Sequence, residues 1–168
     1  MSRSVSEFWR RWHMTLGEWF KENIYFPLGG SRCSKAKTIR NMFVVWLLTG
    51  IWHGDSINYI IWGMFLFVLI VLERQKFMKP ILKFNVTSRV YTVFFIFMSW
   101  MIFKVPTLDG IAVYLSRMFP FFTETPEFVF ADDWVRYVKG LGTLMAAGVV
   151  FTTPLPRIIY KKLKKYKA

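Results

Sequence analysis

A chain of 168 residues has the size of one domain, but 54% hydrophobic and 20% aromatic side chains, including 18 Phe and 8 Trp, exclude an ordinary soluble one. The net charge of +13 accompanies no zinc-finger spacing, RNP-like motif or helix-turn-helix pattern, which argues against nucleic acid as the partner. One cysteine, Cys33, excludes an internal disulfide and a cysteine-based metal site.

Ser4-Val-Ser-Glu7 fits a capping box, with Ser4 as N-cap and Glu7 reaching back. The helix it opens is predicted over roughly Val5 to Asn23. Trp9, Trp12, His13, Leu16 and Phe20 recur on one face, while Arg10, Arg11, Glu18, Lys21 and Glu22 lie largely away from it. A Trp-rich basic amphipathic helix of this kind belongs in the membrane interface. His13 is read either as one of the packed interfacial aromatics or as part of a polar site. No cleavable signal peptide is expected from the first residues.

Phe26-Pro-Leu-Gly-Gly30 is predicted to be a tight turn, because Pro27 cannot continue a helix and the glycine pair permits positive φ. Residues 1–30 thus form an interfacial helix and its closing turn. Ser31 to Arg40 reads as a basic cytoplasmic linker in which Cys33 is a bystander thiol.

Met42 to Leu72 is a run of 31 residues without Lys or Arg, whose one formal charge is Asp55. As a straight helix it would be about 46 Å long, too long for a hydrocarbon core of roughly 30 Å. Two full spans would need about 20 residues each. The remaining solution is a broken or re-entrant hairpin, with His53 and Gly54 at its turn. Irregular backbone at membrane depth needs surrounding protein or a water-filled cavity, and an ionisable side chain there is a candidate functional group. The alternative for His53 is a structural histidine that bonds a backbone carbonyl at a shallow interface.

Glu73 to Arg89 forms a second basic loop, so both ends of the hairpin carry positive flanks. Residues 90–105 and 140–156 read as transmembrane helices, the second rich in small residues that permit close packing. Ile111 to Phe122 reads as an interfacial helix. Residues 157–168 are a basic tail suited to the cytoplasmic face. Residues 104–133 carry five acids, Asp109, Glu124, Glu127, Asp132 and Asp133, against Lys104 and Arg117, which suits the external side. The reading is an all-α, multi-pass protein of the cell membrane, in contact with membrane lipid. Its few helices enclose one polar site poorly, so upstream sequence, a second chain or an oligomer must complete the wall.

Several motifs occur together in one order: Phe8-Trp-Arg-Arg-Trp-His13, Trp19-Phe20, Tyr25, Pro27-Leu-Gly-Gly30, Trp46-Leu-Leu-Thr-Gly-Ile-Trp-His-Gly54 and Trp62-Gly63. Over residues 1–75 this closely resembles the membrane-bound O-acyltransferase (MBOAT) family, most of all its alginate O-acetyltransferase branch. The branch that transfers D-alanine to teichoic acids matches less well at the glycine turn. The resemblance implies that residues 1–168 are the C-terminal portion of a multi-helix ring around a membrane tunnel, with the re-entrant hairpin at its active-site histidine. It implies that the catalytic histidine is His53 and that His13 is the second motif histidine. It also implies acyl transfer from a thioester such as acetyl-CoA, with no permanently bound cofactor, to a hydroxyl of an exported or cell-wall polysaccharide. An extracytoplasmic acetyltransferase is a further partner implied, together with the family's N-terminal helices. Asp55 stands where many relatives of that branch carry a small or apolar residue.

The chemistry suits these residues. A neutral imidazole can take a hydroxyl proton as the oxygen attacks a thioester carbonyl. No Ser or Cys with an adjacent base suggests a covalent intermediate, and two histidines so far apart in sequence do not suggest a metal site. D-alanyl transfer, a non-catalytic membrane scaffold and an inactive C-terminal fragment are the alternatives.

Overall fold

The computed structural model describes residues 2–119 and 133–165. They are helical with no strand, and they divide into two compact units, 2–119 and 133–165.

In the first unit, α1 (Val5–Arg11) starts where the Ser4 hydroxyl accepts the Glu7 N–H at 2.9 Å. The reciprocal half of the box is displaced by one residue, because the Glu7 carboxylate takes the N–H of Arg3, at 2.8 Å, rather than that of Ser4. The N–H groups of Val5 and Ser6 donate instead to the carboxylate of Glu73, at 2.6 and 3.0 Å. The first turn, whose N–H groups have no partner within the helix, is therefore held by the Ser4 hydroxyl and the Glu73 carboxylate.

The single helix predicted to Asn23 is broken. Trp12 is extended and His13 lies in the left-handed region at φ 51, before α2 (Met14–Phe20) resumes. Aromatic packing in two directions accounts for the break. Trp9 meets Trp46 and Trp62 edge-on, at 5.6 and 5.4 Å. Trp12 instead stacks on Phe8 at 5.8 Å and approaches Trp100 at 6.2 Å. One continuous helix would hold both indoles on a single stripe.

A π-helical turn, Lys21–Tyr25, leads into the glycine turn. Gly29 and Gly30 both take positive φ, 102 and 56. The fully buried Asn41 fastens this turn, its amide donating to the Leu28 and Gly30 carbonyls at 3.0 and 3.1 Å.

Helix α3 (Lys35–His53) begins inside the stretch predicted as a linker, because Ser34 caps it by accepting the Lys37 N–H at 3.4 Å. It runs antiparallel to α4 (Ile57–Glu73), and two glycines set their separation. A Cβ on Gly50 would stand 2.6 Å from the Tyr59 carbonyl oxygen, and one on Gly63 would strike that of Trp46. After a 3₁₀ turn, Lys76–Met78, comes α5 (Lys79–Lys83), bent 82° away from α4.

Helix α6 (Asn85–Lys104) packs on α4, with Leu66, Leu69, Ile70, Ile96 and Ile102 in the shared core. Its buried Thr92 and Ser99 hydroxyls return to carbonyls of their own helix, Ser88 at 2.7 Å and Ile96 at 2.8 Å. Small polar side chains satisfied in this way allow close helix approach in apolar surroundings. Helix α7 (Leu108–Met118) is capped by Thr107, which accepts the Gly110 N–H at 3.1 Å.

In the second unit, α8 (Asp133–Thr152) is followed by α9 (Leu155–Lys165), so the basic tail is helical as far as Lys165. Glu124, Glu127 and Asp132, and the predicted end of an interfacial helix at Phe122, lie outside the described residues. Among the described residues α6 alone is long and apolar enough to cross a membrane, and α4 with residues 76–83 qualifies as a bent pair.

Candidate active site

His53 is the last residue of α3. Gly54 stops the helix at φ 147, its N–H donating back to Ile51 at 3.2 Å. That φ is one L side chains rarely adopt, and a Cβ there would also press on the Tyr59 ring at 2.9 Å. The imidazole is partly buried in an aromatic collar. Trp52, Trp62 and Phe103 present edge-on contacts at 4.9, 5.0 and 5.0 Å, and Tyr59 lies tilted at 6.1 Å. No group among the described residues hydrogen-bonds to it.

Tertiary bonds hold the collar in place. The buried Asn58 amide, near the start of α4, donates to the Phe103 and Ile102 carbonyls at 2.7 and 3.3 Å. These are among the carbonyls that the end of α6 leaves without a helical partner. Phe103 is thereby fixed against His53, Tyr59 and Trp62. The indole N–H groups of Trp9 and Trp62 are buried without an acceptor. Each ring lies in edge-on aromatic contacts, and an N–H aimed at a ring face there recovers part of a hydrogen bond.

A cleft of about 630 Å³ opens between α1–α2 and the α3–α4 pair, lined by both histidines. Trp9, Trp46, Trp62 and Ile70 form its apolar side, and Arg10, Lys21 and Arg74 bring positive charge against the one acid, Glu18. The fold thus brings His13 and His53, 40 positions apart in sequence, to one cavity, with Trp52 touching both rings at 6.0 and 4.9 Å. Asp55 is exposed in the loop after His53. Cys33 lies against the glycine turn, its thiol donating to the Gly30 carbonyl at 3.3 Å. Among the described residues no group of three or more His, Cys, Asp or Glu is placed to share a metal ion.

Sequence reasoning missed Asn58, Glu73 and Phe103. An amide inside a run as apolar as Ile57 to Leu72 is a signal for Asn58, and the lone acid closing that run is one for Glu73.

The sequence profile of MBOAT, the membrane-bound O-acyltransferase family, matches residues 1–116. A probable alginate O-acetylase AlgI of Pseudomonas syringae pv. tomato is 37% identical over 123 residues, which are 72% of this chain and 24% of that protein. A peptidoglycan O-acetyltransferase of Helicobacter pylori is 33% identical over 120 residues, 68% of this chain and 23% of the relative. The teichoic acid D-alanyltransferase of Bacillus subtilis is 34% identical over 77 residues, 41% of this chain and 19% of the relative. The chain spans about a quarter of the length of the first two curated relatives. No solved structure matches it.

Proposed function

The chain belongs to the membrane-bound O-acyltransferase family, and from that premise we propose that it carries the active-site portion of an enzyme that O-acetylates a cell-envelope polysaccharide. An imidazole without a hydrogen-bond partner, facing a cleft that joins it to the second motif histidine, is the observation that carries this reading. His53 acts as general base: it takes the proton of an acceptor hydroxyl as that oxygen bonds to the thioester carbonyl carbon. The C–S bond breaks, and the departing thiolate recovers the proton from the imidazolium. The products are an ester and a free thiol, and no covalent enzyme intermediate is needed.

The donor is acetyl-CoA or another acyl thioester, and nothing is permanently bound. Acetyl is favoured over D-alanyl because the O-acetylating relatives match 68–72% of the chain and the D-alanyltransferase 41%. His13 is assigned to the same site as a positioning group. The α3–α4 pair is proposed to enter the membrane as a re-entrant hairpin. The family's other helices, or a second chain, complete a multi-pass ring around it, with the basic tail on the cytoplasmic side. An extracytoplasmic acetyltransferase is a proposed partner.

The test expresses the chain in its genomic context in a host without its own enzyme and measures base-labile acetyl ester on the polysaccharide. His53→Ala should lower the ester by about 100-fold or more, the scale of general-base catalysis. Equal ester in wild type and His53→Ala overturns the reading and leaves a membrane scaffold.

A further inference from the structure

Helix α9 lies beyond residue 116, where the match to the family profile ends. The Thr153 hydroxyl separates it from α8, donating to the Val150 carbonyl at 2.6 Å and accepting the Leu155 N–H at 3.3 Å. Pro154, which has no N–H to continue a helical ladder, stands between the two helices. The 11 residues of α9 make a helix about 16 Å long, roughly half of a hydrocarbon core of about 30 Å. With five Lys and Arg and no acid in LPRIIYKKLKK, it is a helix for a membrane surface rather than for a crossing.

The two kinds of residue are sorted along it. Leu155, Ile159 and Leu163, four apart, fall on one stripe, and Ile158 borders it. These four side chains are 47–61% exposed, so α8 does not cover the stripe. Positions 157, 161, 164 and 165, one Arg and three Lys, fall on the other side of the helix at about 100° per residue. Lys162 alone stands at the apolar edge, between positions 155 and 158, where a long stem lets an ammonium reach the polar side.

An apolar stripe opposite a face of one charge sign matches the boundary between acyl chains and anionic headgroups. A protein groove would take the stripe and gain nothing from the four cationic positions behind it. A bilayer engages both, its acyl chains meeting the stripe and its headgroup phosphates the cations. We propose that α9 lies flat in the membrane interface and recognises a leaflet rich in anionic phospholipid, with Leu155, Ile159 and Leu163 toward the acyl chains. This rests on the membrane setting of the family and on the residues of α9, and not on acetyl transfer.

The experiment uses the full chain in its genomic context, reconstituted in lipid nanodiscs. A nitroxide label is placed at Ile159→Cys or at Lys161→Cys, with every native cysteine, Cys33 included, replaced by Ser. Electron paramagnetic resonance reads the label's collisions with oxygen, which concentrates among acyl chains, and with a water-soluble nickel chelate. In phosphatidylcholine with about 30% phosphatidylglycerol, the oxygen-to-nickel ratio at 159 should exceed that at 161 by about tenfold. In phosphatidylcholine alone the contrast should shrink to about twofold or less.

Few collisions with either reagent at 159 would put the stripe against protein and overturn the proposal. Free nickel access at both positions overturns it too, as a solvated tail would behave. Equal contrast in the two lipid mixtures sinks the recognition of anionic headgroups. A second arm adds Arg157→Gln, Lys164→Gln and Lys165→Gln to the Ile159→Cys protein. In the phosphatidylglycerol mixture this variant should give the ratio of phosphatidylcholine alone, and a ratio unchanged by the three substitutions counts against the proposal. No reading needs acetyl transfer, so an inactive enzyme overturns the transferase reading alone.

Discussion

The Asn58 side-chain amide donates to the Phe103 carbonyl at 2.7 Å, and through that bond the end of α6 is tied to the wall of the His53 site. Asn58→Ala leaves the Phe103 and Ile102 carbonyls buried and unpaired, at a cost of about 1–3 kcal/mol. The outcome is a lower unfolding temperature in detergent and a fall in kcat larger than the change in either half-saturation constant. Asn58→Asp should be no better, because a carboxylate facing two carbonyls has no proton to donate. Wild-type kcat in both variants would remove Asn58 from the support of the site.

His13 holds a left-handed backbone at φ 51, a geometry that costs a residue with a Cβ about 1–2 kcal/mol. His13→Gly should therefore raise stability by about 1 kcal/mol. Loss of the imidazole should lower transfer in the same variant by about tenfold. Melting and ester formation thus move in opposite directions, which a purely structural histidine would not produce. If His13→Gly transfers as wild type does, the residue matters for its bend alone.

Gly50 and Gly63 should tolerate no side chain. Gly50→Ala meets the Tyr59 carbonyl and Gly63→Ala that of Trp46, both rigid backbone. Each should cost about 1–3 kcal/mol or more, as overpacking does. Gly17 lies within α2 with nothing within 4 Å of an added Cβ. Gly17→Ala should stabilise by up to about 1 kcal/mol. Thermal unfolding of the three variants side by side checks the contrast.

Glu73 is the long-range anchor of α1. Glu73→Ala frees the Val5 and Ser6 N–H groups and should speed amide exchange over residues 5–11 more than anywhere in α4.

Glu7 acts locally. The Arg3 N–H, and then Arg10, Arg11 and Arg3 as charges, hold its carboxyl below the usual value against an opposing desolvation effect. A depressed carboxylate stabilises the fold above its unfolded-state pKa, and that contribution is lost as pH falls through the lower folded-state value. Glu7→Gln should therefore lower the melting temperature slightly at pH 7, and the difference should vanish in acid.

The end of α3 at His53 was legible because a polar knot interrupts an otherwise uncharged run, and only Gly54 can take the φ that follows. The glycine turn was legible for the same local reason. The break at Trp12-His13 was not, because the apolar stripe continues through it. What decides it is the pull of Trp9 toward Trp46 and Trp62, and of Trp12 toward Trp100, partners that no periodicity reveals. Asn58 and Glu73 were hidden likewise, since their partners lie 45 and 68 positions away. The helical start at Lys35 was obscured by the basic charge around it, which outweighed Ser34 as a cap.

The contact between Gly50 and Gly63 has a mechanical sequel. With backbone against backbone there is no slack between α3 and α4, so His53 travels with Trp62 as one jaw. Any widening of the cleft must then come from its other wall, α1 and α2. Those two helices join at the left-handed His13, and α1 is tethered at its start by the carboxylate of Glu73.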